Sequence, residues 1–217
     1  MARGIVKIKP DGSGNMGNGK IIVTEFPADP VNGTPGMDVG TEISFIDANQ
    51  SKVGDLVDFN LDSTGNGKIN SVVASGTVIP NNFPDNITVA SGQSVIINGT
   101  TVFDGKITNN GGVLTIVDSA HVEGKIVSSN PSSFLLIDGG DLKTVSHGGT
   151  ISISGPGSIS VKNATINGTL SSNGNSFVAV QKCTFYGKLE VLNCKVSPCS
   201  KIFGNDVKGD TNIPQCP

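Results

Sequence analysis

The chain has 217 residues, 15 Lys plus Arg against 18 Asp plus Glu for a net charge of −3, 29 glycines, 11 prolines and no tryptophan. That length allows one or two domains, and the near absence of apolar residues at helical spacing excludes a helical protein in favour of an all-β one. Arg3 is the sole arginine, so the chain lacks the guanidinium forks that grip phosphates and sugar carboxylates in pairs.

Met1-Ala2-Arg3-Gly4 leads straight into an alternating strand, unlike a secretory leader. There is no run of 18 apolar residues, so no membrane span is expected. Both features point to the cytoplasm, with a virion or cell-surface assembly as the alternative if the cysteines are bridged. Residues 1–80 give about five short strands: Gly4–Lys9, Gly19–Thr24, Glu42–Ile46, Leu56–Asn60 and Ile69–Ala74. Their joints, such as Asp11-Gly12-Ser13-Gly14-Asn15 and Asn32-Gly33-Thr34-Pro35-Gly36, are built from turn formers. Five short antiparallel strands in this span fit a small closed barrel of the OB type, set over residues 1–76. The same span holds six basic and nine acidic residues. An acidic barrel lacks the electrostatic term that draws nucleic acid in.

Gly4-Ile5-Val6-Lys7, Gly17-Asn18-Gly19-Lys20-Ile21-Ile22, Val53-Gly54-Asp55-Leu56-Val57-Asp58-Phe59 and Gly65-Asn66-Gly67-Lys68-Ile69-Asn70-Ser71-Val72-Val73 follow one another in an order that resembles the cold-shock domain. The resemblance spans about residues 3–75. It implies single-stranded nucleic-acid binding, with Lys7, Lys9, Lys20 and Lys68 as the candidate contacts. The chain departs from that family where stacking aromatics are needed: Ile8, Lys9, Asn15, Met16, Ile21 and Ile22 stand there instead. Stacking contributes about 1–3 kcal/mol per base, so losing the platform removes most of the affinity.

Residues 77–87 form a short connector in which Val78, Ile79 and Phe83 call for burial. From residue 88 the chain repeats. Val102-Phe103-Asp104-Gly105-Lys106-Ile107, His121-Val122-Glu123-Gly124-Lys125-Ile126, Thr165-Ile166-Asn167-Gly168-Thr169-Leu170 and Thr184-Phe185-Tyr186-Gly187-Lys188-Leu189 are copies of one phrase, with a looser copy at Val145-Ser146-His147-Gly148-Gly149-Thr150-Ile151. Gly105 and Gly124 are 19 apart, as are Gly168 and Gly187. Ahead of each phrase runs an apolar stretch: Val95-Ile96-Ile97, Val113–Val117, Phe134–Ile137, Ile159-Ser160-Val161 and Phe177–Val180. A repeat of this length built from short apolar-alternating runs predicts a single-chain parallel β-helix over 88–217. Five turns about 4.8 Å apart make a rod of roughly 25 Å. The corner glycines Gly105, Gly124, Gly168 and Gly187 are expected to take left-handed backbone.

These repeats resemble the turns of the bactofilins, polymer-forming bacterial β-solenoids whose turns carry a hydrophobic-x-Gly-x-aliphatic phrase. The resemblance spans about residues 95–192 and implies head-to-tail filaments that use no nucleotide.

The four cysteines, Cys183, Cys194, Cys199 and Cys216, match no zinc spacing. They read either as a disulfide cap on the last turns or as reduced, small hydrophobes. Asp138-Gly139-Gly140-Asp141 is the one tight acidic pair of the rod and reads as a solvated corner. A polysaccharide lyase or hydrolase needs more carboxylates facing one groove. His121 and His147 are too few for a metal site. Gly12-Ser13-Gly14-Asn15-Met16-Gly17 has the letters of a dinucleotide fingerprint but lies between strands with no helix after it. No catalytic residue, metal site, cofactor or small-molecule substrate is expected. The leading expectation is a non-enzymatic structural subunit that self-associates into a filament or scaffold. A trimeric phage or injection-apparatus spike and a cold-shock relative are the alternatives.

Overall fold

The structure is a computed structural model. It describes residues 2–8, 19–25, 37, 40–46, 51–80, 85–99, 102–103, 105–118, 120–139, 145–147, 150–155, 157–174, 177–193 and 202–213. All regular elements are strands, and the chain divides into two compact units, 1–78 and 79–217.

The first unit holds β1 (Ala2–Ile8), β2 (Gly19–Glu25), β3 (Glu42–Ile46), β4 (Leu56–Leu61) and β5 (Gly67–Ala74), followed by β6 (Gly76–Val78). The strands start and stop within two residues of the alternation in the sequence. β1 to β5 form a mixed sheet in the order β1-β2-β3-β5-β4, and β4 also pairs with β1. The expectation of antiparallel strands throughout is corrected at one pair: β3 and β5 run parallel, with Phe45 opposite Gly67 and Ile46 opposite Lys68. The two strands are not consecutive; β4 returns the chain between them, so β5 enters in the same direction as β3.

Alternation puts Val6, Ile21, Val23, Ile43, Phe45, Val57, Phe59 and Ile69 in one buried cluster. Full burial of each such side chain is worth about 1.5–3 kcal/mol. Gly4 is needed at its place: a Cβ there would drive into Ile21 Cγ2 and come within 2.8 Å of the Ile22 carbonyl. The exit from the sheet is held by the buried Asp55, which accepts the N–H groups of Lys52 and Gly76, both at 2.7 Å. The β4–β5 hairpin turns on Asp62. Its Oδ1 accepts the N–H of Thr64 at 2.8 Å and of Asn66 at 2.9 Å, while Gly65 takes φ +84°.

The second unit is a parallel β-solenoid of about seven turns. Its first turn is β7 (Ile87–Ala90), β8 (Ser94–Ile97) and β9 (Val102–Phe103); the second is β10 (Ile107–Asn110), β11 (Val113–Val117) and β12 (His121–Val122). The third is β13 (Ile126–Ser128), β14 (Phe134–Asp138) and β15 (Val145–His147), and the fourth β16 (Ile151–Ser154), β17 (Ser158–Lys162) and β18 (Ala164–Ile166). The fifth is β19 (Leu170–Asn173), β20 (Phe177–Gln181) and β21 (Thr184–Phe185), and the sixth β22 (Leu189–Leu192), β23 (Ile202–Phe203) and β24 (Asp206–Val207). β25 (Thr211–Asn212) opens the seventh. Every third strand stacks on the same face, so the coil has three parallel sheets.

Register is kept by rows of like residues. Ile87, Ile107, Ile126, Ile151, Leu170 and Leu189 form one inward row, and Val95, Leu114, Leu135, Ile159 and Val178 another. Slipping a strand by one residue would turn its apolar side chains outward. The rod begins earlier than the expected residue 88. Ile79 is already in its core, and its N–H donates to the Ile96 carbonyl at 3.0 Å, whereas Val78 beside it is exposed. Phe83 lies outside the described residues.

The left-handed backbone expected at Gly105, Gly124, Gly168 and Gly187 is not there: none of the four has a positive φ. They occupy the corner that leads into the first face, and at Gly105 and Gly187 the reason for glycine is contact with the turn below. A Cβ on Gly105 would strike the Asp85 carbonyl, and one on Gly187 would strike that of Gly168. Left-handed residues lie at the other two corners: Gly92 (φ 76°), Gly111 (95°), Gly155 (82°), Gly174 (74°) and Asn193 (50°) after the first face, and Gly99 (63°), Asp118 (61°), Asn163 (49°), Lys182 (54°) and Gly204 (67°) after the second. Asp118, Asn163 and Lys182 each donate their N–H to the carbonyl one turn on, at 3.1–3.2 Å, which holds this otherwise costly conformation in place.

Candidate functional site

The chemistry-bearing residues singled out in the sequence do not converge. Among the described residues no group of three or more His, Cys, Asp or Glu side chains is placed to hold a metal ion. His121 Nε2 lies 2.7 Å from Glu123 Oε1, and the ladder sets His121 opposite Ser146 and Val122 opposite His147. Asp138 is not the solvated corner residue expected. It is buried and accepts the Asn163 Nδ2 at 3.1 Å, so it serves the left-handed corner on the next turn. Asp141 and the Gly12–Gly17 phrase lie outside the described residues.

The nucleic-acid candidates of the first unit are largely engaged within it. Lys7 Nζ is 2.7 Å from Glu42 Oε1 in a pair whose lysine is nearly covered. Lys20 Nζ donates to Ser44 Oγ at 3.0 Å, and Lys68 is exposed on β5. Lys9, Asn15 and Met16 lie outside the described residues, as does the side chain of Ile8. Ile21 and Ile22 are fully buried, so neither offers a face to a base.

Cys183 drops out of the candidate disulfide cap. It is a free thiol, buried under the corner of β21, with Sγ donating to the Gln181 carbonyl at 3.2 Å. Burial pushes the thiol up to about 11, away from the thiolate form that reacts. Cys194, Cys199 and Cys216 lie outside the described residues.

What the solenoid does bring together is its last turn. β23, β24 and β25 are the terminal strands of the three sheets, each paired with the turn before and, among the described residues, with nothing beyond. The inward positions of this turn are filled by Ile202 and Val207, with Ile213 following β25. All three pack on the core but remain partly open, whereas Val180, Phe185 and Val191 one turn below are buried. Asn205 fits the turn to its neighbour. Its Nδ2 donates to the Val180 carbonyl at 2.8 Å and its Oδ1 accepts the Cys183 N–H at 2.9 Å, in the row where Ala164 and Cys183 sit below it.

The rim of this end is polar and balanced. Lys208 Nζ is 2.7 Å from Asp206 Oδ2, and the hydrogen bond to that carboxylate raises the lysine above its ordinary value. Glu190 accepts from Lys188 at 2.6 Å, Ser171 at 3.0 Å and Asn212 at 3.3 Å, which together hold its carboxyl below the usual range. Phe203 stands half-exposed beside this end and Tyr186 one turn below. The sequence held a signal for this turn that the phrase list passed over. Val207-Lys208-Gly209 repeats Phe185-Tyr186-Gly187 22 residues on, and a Cβ on Gly209 would strike the Gly187 carbonyl. It escaped notice because its closing position is Thr211 instead of an aliphatic residue.

No helix among the described residues is long and apolar enough to cross a membrane. No protein-family model, curated protein or solved structure matches the chain.

Proposed function

We propose that this protein is a non-enzymatic structural subunit that self-associates through its solenoid. The observation that carries this reading is the last turn: three terminal strands with a partly open Ile202, Val207 and Ile213 above a continuous apolar core. Strand edges of this kind pair with another chain unless something covers them, and a partner strand supplies both backbone hydrogen bonds and burial. A second copy of the chain offers strands of the same spacing and the same apolar rows. The first unit is read as an OB-type barrel, supported by the ring of pairings β1-β2-β3-β5-β4-β1 and by β3 and β5 running parallel. In this reading it is a collar or docking module, because Lys7 and Lys20 are engaged and Ile21 and Ile22 are buried where a base-stacking face would be needed.

Sedimentation velocity and negative-stain microscopy over a range of protein concentration test the proposal. Self-association is expected to grow with concentration and to fall when Thr211→Lys and Asn212→Pro are introduced at the last strand, since charge and proline both block edge pairing. A monomer at all concentrations overturns the reading. A concentration-independent trimer would favour a spike, although here each strand of the coil pairs with the turn 19 to 25 residues away in the same chain and needs no second copy to close its core.

A further inference from the structure

Seven Asn-Gly pairs occur in the chain, and five of them lie in the described residues: Asn66-Gly67, Asn98-Gly99, Asn110-Gly111, Asn167-Gly168 and Asn173-Gly174. An asparagine followed by glycine can cyclise, because glycine's missing side chain lets its main-chain nitrogen approach the preceding carboxamide. The fold treats the five pairs differently. The Gly111 N–H donates to Ser133 Oγ at 2.9 Å, and the Gly174 N–H donates to the Leu192 carbonyl at 2.9 Å. Gly67 sits in the paired strand β5 while Asn66 Nδ2 donates to Thr64 Oγ1 at 2.8 Å. Asn98 makes a bonded contact of its own. At the fourth pair the side chain of Asn167 is exposed, and among the described residues neither its carboxamide nor the Gly168 N–H has a hydrogen-bond partner.

We propose that Asn167-Gly168 is a self-modification site, at which the chain converts asparagine into aspartate and isoaspartate ahead of the other four Asn-Gly pairs of the described residues. The Gly168 nitrogen attacks Asn167 Cγ; the new N–Cγ bond forms as the Cγ–Nδ2 bond breaks, and the Gly168 N–H proton leaves with the amide group as ammonia. Water then opens the five-membered imide. Attack at Cγ gives aspartate, and attack at the main-chain carbonyl carbon gives isoaspartate. One water is consumed and one ammonia released, with no oxidant or cofactor. The site is placed where the product matters. The Gly168 carbonyl abuts Gly187 with no room even for a Cβ, and isoaspartate lengthens the main chain by one methylene at that point. The reaction therefore adds a negative charge and loosens the stack between the fourth-to-fifth and fifth-to-sixth turns.

The test is a time course of the full chain in mildly alkaline buffer, read by peptide mapping with isoaspartate identified by fragmentation. Conversion at Asn167 is expected to run roughly tenfold or more ahead of Asn66, Asn110 and Asn173, whose amides must first give up a hydrogen bond. In denaturant the lead should vanish, since the selectivity comes from the fold. Hydroxylamine, which cleaves the imide, should cut native protein after residue 167 first. Asn167→Gln changes an exposed side chain and should remove the fast phase while circular dichroism stays unchanged. Conversion led by Asn66, Asn98, Asn110 or Asn173, or level across these five sites in the native protein, overturns the proposal.

Discussion

Gly187 and Lys182 show how two residues five apart answer opposite demands of the same coil. At Gly187 the turn below comes so close that any side chain meets the Gly168 backbone, which cannot yield as a side chain would. Gly187→Ala is expected to cost about 1–3 kcal/mol, the range for overpacking a tight site, and chemical denaturation will measure it. Lys182 sits at φ 54°, a conformation that costs a non-glycine residue about 1–2 kcal/mol. Lys182→Gly removes that cost against a glycine entropy penalty of roughly 0.5–1 kcal/mol, so a gain of about 0.5–1 kcal/mol is expected in the same assay. Cys183 makes a third prediction at this scale. With its thiol raised to about 11 and covered, it should resist alkylation in the native protein at neutral pH and react on unfolding. Mass mapping of iodoacetamide adducts checks it, and rapid native labelling at Cys183 would contradict it.

At the scale of elements, the apolar runs were legible because each carries its own alternation, and β-branched residues favour a pleated, half-buried surface. The corners were less legible. Glycine marked the right places in the phrase, but whether it serves φ or close approach depends on the neighbouring turn, which lies about twenty residues away. The left-handed corner after the second face went unread because Asp118, Asn163 and Lys182 share no letter; only the ladder aligns them. The turn around Asn109 was hidden for the same reason. Its Oδ1 accepts the Gly112 N–H and its Nδ2 donates to the Phe134 carbonyl, both at 3.0 Å, from a buried row it shares with Val89, Ser128, Ile153, Ser172 and Val191. Asn109→Ala strands both groups and should cost about 1–3 kcal/mol, seen as a lower denaturation midpoint.

The last turn carries a pH prediction as an element. Glu190 is held below its ordinary 4.5, so its contribution is present above that pH and is lost as the pH falls through the lowered value. Lys208 is held above 10.5, so its contribution is present below that pH and is lost as the pH rises through the raised value. Amides of β22, β24 and β25 should therefore exchange faster at either extreme than between them, relative to those of β10 and β13. Uniform exchange across the solenoid would show that these contacts do not hold the end.

For the whole molecule, the coil works by nearest-neighbour contact: each turn touches the one before and the one after, and stability sums over turns. The count of seven turns exceeded the five phrases because the first and last turns lack a full phrase, the last one closing on Thr211. End turns in such folds are atypical by necessity, since one side of each has no equivalent to stack on.

The constant row Ile151, Leu170 and Leu189 has a consequence for surgery on the chain. Excising residues 170–188 would splice Thr169 to Leu189, and Leu189 would then fall opposite Ile151, where Leu170 stood. The product would be the same screw cut one thread shorter, melting lower but keeping its pitch.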